Sequence, residues 1–218
     1  MTRRTFTGAA VAAGLTRADE GTRIQRIETF RVVYPVTGYF RFFAKPERPA
    51  VFVKITCEDG STGWGQSVPT PSWSYETVES VTATIDGYLA PALKGKNALD
   101  FAGAHTEMNR AIAPSFSTGM PIAKAGVDLA LHDLAGRRAR RNVASLWARQ
   151  GIDRITLSWT VNARDLGEAE KVLEEGRNRG YRHFNIKVAP DVDYDVSLAK
   201  TVRKFAPDCF LWADANGG

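Results

Sequence analysis

Three stretches in the last third of the chain alternate apolar and polar residues with a period of two, the side-chain repeat of a β-strand. Ile155 to Asn162 puts Thr156, Ser158, Thr160 and Asn162 on one face. His183 to Val188 sets Phe184, Ile186 and Val188 against His183, Asn185 and Lys187. Phe210 to Asn216 sets Leu211, Ala213 and Ala215 against Phe210, Trp212, Asp214 and Asn216. Between these stretches the period lengthens to that of a helix. Leu166, Ala169, Val172 and Leu173 predict a helix from Leu166 to Arg179 closed by Gly180, and Val196, Ala199, Val202 and Phe205 predict another before Pro207. Strand, helix, strand, helix, strand with short connections predicts right-handed βαβ units and a parallel sheet.

The preceding residues follow a different pattern. Ile24 to Tyr34 and Val51 to Glu58 read as strands, Glu58 to Gly63 as a turn, and Trp64 as the return into extended structure, so an antiparallel meander is expected. Two amphipathic helices follow. Val78, Val81, Ile85 and Leu89 mark one from Tyr75 to Leu89; Ala123, Val127, Ala130, Leu131 and Leu134 mark another from Pro121 to Arg141. The fold class is α/β: an α+β cap over residues 22–150, then the N-terminal part of a β/α barrel over 151–218.

In parallel α/β proteins, ligands and metals are held at the C-terminal ends of the strands. The polar strand faces would therefore aim Lys187, Asp214 and Asn216 at one interior, with Thr160 and Asn162 as candidate substrate contacts. The chain stops just beyond Asp214, so such a site would be incomplete in these residues.

The segment Asp59-Gly60-Ser61-Thr62-Gly63-Trp64-Gly65, then Ala125 to Leu134, Asn185-Ile186-Lys187 and Asp214-Ala215-Asn216-Gly217, resembles in order and spacing the mandelate racemase and muconate lactonizing branch of the enolase superfamily. The resemblance covers roughly residues 22 to 218. It implies a cap over a modified TIM barrel and a magnesium ion that stabilises an enediolate formed by removal of the proton α to a carboxylate. It implies Asp214 as a metal ligand beside Asn216, and Lys187 as the general base on one face of a small carboxylate substrate. Asn185 stands where the family carries the first lysine of a Lys-x-Lys motif, and a neutral amide cannot repel the neighbouring ammonium as a second lysine would. Gln66 stands where the family's Gly-x-Gly-Glu turn carries its carboxylate. In that family two cap loops close over the substrate, here Tyr39 to Lys45 and Ser67 to Tyr75, which makes Tyr39, Arg41 and Trp73 candidates for substrate contact. Racemization or epimerization, cycloisomerization and dehydration all remain open, and a homo-oligomer is implied. The alternative is a non-catalytic fragment acting through its cap surface or by association with another chain.

Composition changes this picture little. A chain of 218 residues with 44% hydrophobic and 24% charged residues is that of an ordinary globular protein. The net charge of +5 is modest. Arg137, Arg138, Arg140 and Arg141 gather at a helix C-terminus, where the dipole favours cations, so they do not argue for nucleic acid. Cys57 and Cys209 form no pairing motif, and His105, His132 and His183 have no metal-ligand spacing. The segment Thr2-Arg3-Arg4-Thr5-Phe6 with the apolar run Gly8 to Leu15 matches a twin-arginine export signal, too short to span a membrane. Residues 1–21 are thus expected to be a leader or tail, directing the protein to the periplasm; without it the location would be cytoplasmic.

Overall fold

The computed structural model describes residues 21–36, 45–115, 119–189 and 191–215. Tyr39, Arg41, Asn216 and the twin-arginine segment lie outside the described residues. Two compact units part after Gly151. The first holds most of β1 (Ile24–Pro35) and β2 (Glu47–Cys57), with β3 (Thr62–Ser67) and helices α1 (Pro71–Ser74) to α6 (Val143–Leu146). The second holds β4 (Ser158–Val161), α7 (Leu166–Asn178), β5 (His183–Lys187), α8 (Val192–Phe205) and β6 (Leu211–Asp214).

In the first unit the sheet order is β1-β2-β3, with β2 and β3 antiparallel from Val51↔Ser67 to Thr56↔Thr62. The turn between them closes where Cys57 N–H donates to the Ser61 carbonyl at 2.9 Å and Gly60 takes φ +79°. Alternation along β2 buries Val51, Val53, Ile55 and Cys57 completely. They pack with the buried faces of α2 (Val78–Thr84), α4 (Phe101–Ala111) and α5 (Pro121–Ala139).

The helix expected from Tyr75 begins later and is interrupted. Tyr75 takes φ 55° and closes α1, while Thr77 starts α2 through a reciprocal capping box with Ser80. From Ile85 to Leu89 the helix widens to a π turn before α3 (Ala90–Leu93). The spacing explains it. Val81, Ile85, Leu89 and Leu93 are all fully buried at intervals of four, and in a regular helix each such step rotates the stripe by about 40°. One wider turn returns the stripe toward the core, and Pro91, without an N–H, relaxes the ladder there.

Helix α4 was absent from the periodicity reading. Asp100 caps it by accepting the Gly103 N–H at 2.9 Å, and Ala104 and Met108 face the core. The long α5 lies directly on β3. A Cβ at Gly65 would stand 2.0 Å from the Gly126 carbonyl oxygen, and one at Gly63 would stand 2.2 Å from that of Ala130. The two glycines therefore let strand and helix backbones touch.

The second unit is a parallel sheet in the order β4-β5-β6. Strand β4 is shorter than the sequence pattern, because pairing to β5 starts at Ser158↔His183 and Ile155 has no strand partner. Helix α8 begins a turn earlier than Val196, at Val192, because Asp191 accepts the Tyr194 N–H at 3.0 Å. One sheet face, with Val161, Phe184 and Ile186, is buried with Ala169, Leu173, Leu198 and Val202 of the two helices. The opposite face is the polar one. Among the described residues no helix is long and apolar enough to cross a membrane.

Candidate active site

The polar face of β4-β5-β6 brings together residues that are 27 positions apart in sequence. Parallel register sets Lys187 beside Asp214 at the C-terminal ends of β5 and β6, and Lys187 Nζ donates to Asp214 Oδ2 at 2.6 Å. Their side chains are 19% and 27% exposed. This partial burial strengthens the pair relative to a surface one while leaving both groups open to a ligand.

Asn185, one step down the same face, is buried. Its side-chain oxygen accepts the Thr160 hydroxyl at 2.9 Å and that of Ser158 at 3.4 Å. The Trp212 indole N–H in turn donates to the Ser158 hydroxyl oxygen at 3.3 Å. An indole N–H can only donate, so Ser158 has its own proton to give to Asn185. A hydrogen-bonded ladder thus crosses all three strands beneath the Lys187–Asp214 pair. Asn162 follows β4 and is half-buried.

Just past Lys187 the chain bends sharply. Ala189 takes φ 75°, a left-handed conformation unusual for alanine, and its N–H donates to Asp195 Oδ2 of α8 at 2.6 Å. This bond holds the end of β5, and with it the lysine, in place.

Trp73 sits in α1 of the first unit, 48% exposed. Lys45 pairs with Glu47 at 3.6 Å. Of the helix-end arginines, Arg137 pairs with Asp133 at 2.8 Å and Arg138 with Asp59. Cys57 and Cys209 are both free and buried.

Among the described residues no group of three His, Cys, Asp or Glu side chains converges to hold a metal ion. Asp214 offers a hard carboxylate oxygen, which suits magnesium but meets only one of about six positions in its octahedral shell. The donor is of the right kind and by itself too few.

Two groups in the first unit escaped the sequence reading. Glu76 is fully buried and accepts the backbone N–H groups of Ile122 at 2.7 Å and Ala123 at 3.0 Å, the first turn of α5. His132 and His105 both reach Asp128, at 3.4 Å and 2.8 Å. His132 and Asp128 are four apart on α5, a spacing that signals contact on a helix; Glu76 carries no comparable local signal.

An α+β unit whose glycine-bearing strand lies on a long helix, followed by parallel β/α units that end in a lysine and an aspartate, defines an enolase-superfamily chain. The family model described as "Mandelate racemase / muconate lactonizing enzyme, N-terminal domain" matches residues 29–147, and the chain belongs to that family. Over 163 residues it is 35% identical to a chloromuconate cycloisomerase of Cupriavidus necator, covering 70% of this chain and 42% of that protein. Over 202 residues it is 26% identical to the N-succinyl-L-Arg/Lys racemase of Bacillus cereus, covering 90% of this chain and 53% of that protein. The solved muconate lactonizing enzyme from Pseudomonas putida is similar with a TM-score of 0.78 and 26% identity, covering 89% of this chain and 52% of that one. The chain spans about half the length, or less, of the curated relatives it matches.

Proposed function

We propose that this chain contributes a base and a metal ligand to an active site that removes the proton α to a carboxylate and completes a racemization, an epimerization or a cycloisomerization. The observation that carries the reading is the Lys187–Asp214 pair, 2.6 Å apart at the ends of adjacent parallel strands. Lys187 takes and returns the proton at Nζ, and the Ala189–Asp195 bond keeps its strand end from swinging away. Asp214, with Asn216, would hold Mg2+, which when bound stabilises the negative charge that gathers on the substrate carboxylate. Asn185 serves as a fixed neutral neighbour in place of a second cation. Thr160 and Asn162 line the substrate side, and the loops carrying Tyr39, Arg41 and Trp73 set its identity. Relatives named as cycloisomerase and racemase favour isomerization over loss of water, and with it a small organic acid as substrate.

The test uses the full-length protein with magnesium and N-succinyl-L-arginine in deuterated water, following loss of the α-proton by proton NMR. Lys187→Ala should abolish exchange while magnesium binding, read by titration calorimetry, persists. Asp214→Asn should lose most of the magnesium affinity. Exchange that survives in Lys187→Ala excludes it as the base, and unchanged magnesium binding in Asp214→Asn excludes that residue as a ligand.

A further inference from the structure

A second polar cluster lies in the first unit, between α4, α5 and α6. His132 is nearly buried, its side chain 11% exposed. Its Nδ1 lies 2.9 Å from the Asp128 carbonyl oxygen and 3.4 Å from the Asp128 carboxylate, both of which only accept. Its Nε2 lies 3.1 Å from the indole nitrogen of Trp147, which only donates. These partners dictate the tautomer: a neutral ring with its proton on Nδ1 and a lone pair on Nε2. Phe101 of α4 stacks on the ring with centroids 4.1 Å apart.

The arrangement contains two opposed demands. The Asp128 carboxylate favours a charged imidazolium, whereas the indole N–H requires Nε2 to stay unprotonated. His105 of α4 shares the same Asp128 oxygen at 2.8 Å, and Asp133, the next residue of α5, is engaged by Arg137 at 2.8 Å. Hydrogen bonding to Asp128 holds the His132 pKa above its ordinary value against the opposing effect of burial.

Trp147 ends α6, a single turn whose start is held by Asn142, which accepts the Ser145 N–H at 2.8 Å. Val143 of that turn lines an apolar groove with Phe52, Trp64 and Leu129, and His132 stands in its wall. We propose that His132 and Trp147 form an acid-released latch that fastens α6 to α5 and so fixes the wall of this groove. While the ring is neutral, the indole N–H is received by the Nε2 lone pair. Protonation places an N–H on Nε2 facing the indole N–H, two donors with no acceptor between them, so the bond is lost and the end of α6 swings free. Such a device couples the apolar surface offered by the first unit to pH, independently of Lys187 and Asp214.

The experiment is an NMR titration of the 15N-labelled full-length protein from pH 9 to 5, following the His132 ring and the Trp147 indole N–H, the latter assigned by its loss in Trp147→Phe. The indole resonance is expected to shift and lose exchange protection with the same midpoint as the His132 ring. Trp147→Phe should raise that midpoint by about half a unit to one unit, because a hydrogen bond that favours the neutral ring has gone. Asp128→Asn should lower it and carry the Trp147 transition down with it. An indole signal that stays constant through the His132 titration overturns the latch, as does a midpoint unmoved in Trp147→Phe. The wild-type titration alone suffices should Asp128→Asn fail to fold.

Discussion

Glu76 offers the sharpest test of how the first unit is held together. Its carboxylate is fully buried and receives two backbone N–H groups from the first turn of α5, at 2.7 and 3.0 Å. The residue at that helix's own N-cap, Met120, supplies no side-chain bond. Glu76 therefore acts as the cap, delivered from the loop between α1 and α2, with a full negative charge at the positive end of the helix dipole. Hydrogen bonds to a charged acceptor contribute about 1.5–3 kcal/mol each, and two that share one carboxylate are not additive. Glu76→Ala should cost about 3–4 kcal/mol, since it also strands two donors away from water. Glu76→Gln keeps the shape and one oxygen acceptor and should cost about half as much. Lys124 adds a check. Burial depresses its pKa while Glu76 opposes that fall, so the alanine variant leaves a buried ammonium less compensated. Urea unfolding followed by circular dichroism gives the difference from the midpoint at constant slope. A loss below about 1 kcal/mol in Glu76→Ala would refute the argument, showing that water or a neighbouring group caps α5 equally well.

Gly65→Ala should destabilise the first unit by about 3 kcal/mol or more, because its Cβ would stand 2.0 Å from the Gly126 backbone oxygen and neither backbone can yield without parting β3 from α5; a melting temperature within a degree or two of wild type would contradict this packing. Asp59 is held at about 2, below its ordinary 3.8, by the Ser61 hydroxyl and N–H against the opposing effect of desolvation, with Arg138 lowering it further. A depressed folded-state value means the contribution is complete above about pH 4 and is lost as pH falls toward 2, so Asp59→Asn should flatten the stability profile over that interval. Urea melts from pH 2 to 5 test this, and an unchanged slope would show that the turn's carboxylate is not coupled to folding.

The period-two alternation settled which residues of β5 and β6 share a face, because a strand's side chains alternate whatever surrounds them. Lys187 and Asp214 could therefore be assigned to the polar face of their strands from local sequence. Helical spacing likewise marked α5 and α7, and it would have found α4 from Asp100, Ala104 and Met108. The glycines at 63 and 65 were visible as letters, but only the helix lying on them gives them a role. Pairing across distance was not legible. The 2.6 Å approach of Lys187 to Asp214 depends on parallel register, and the burial of Asn185 beside Thr160 on the strand next to it. The capping of α5 by a glutamate 46 positions earlier depends on how a loop is folded back. Periodicity is a property of the backbone and can be read from neighbours in sequence. Which donor meets which acceptor is decided by packing among segments that share no local signal, and in this protein that is where the polar chemistry resides.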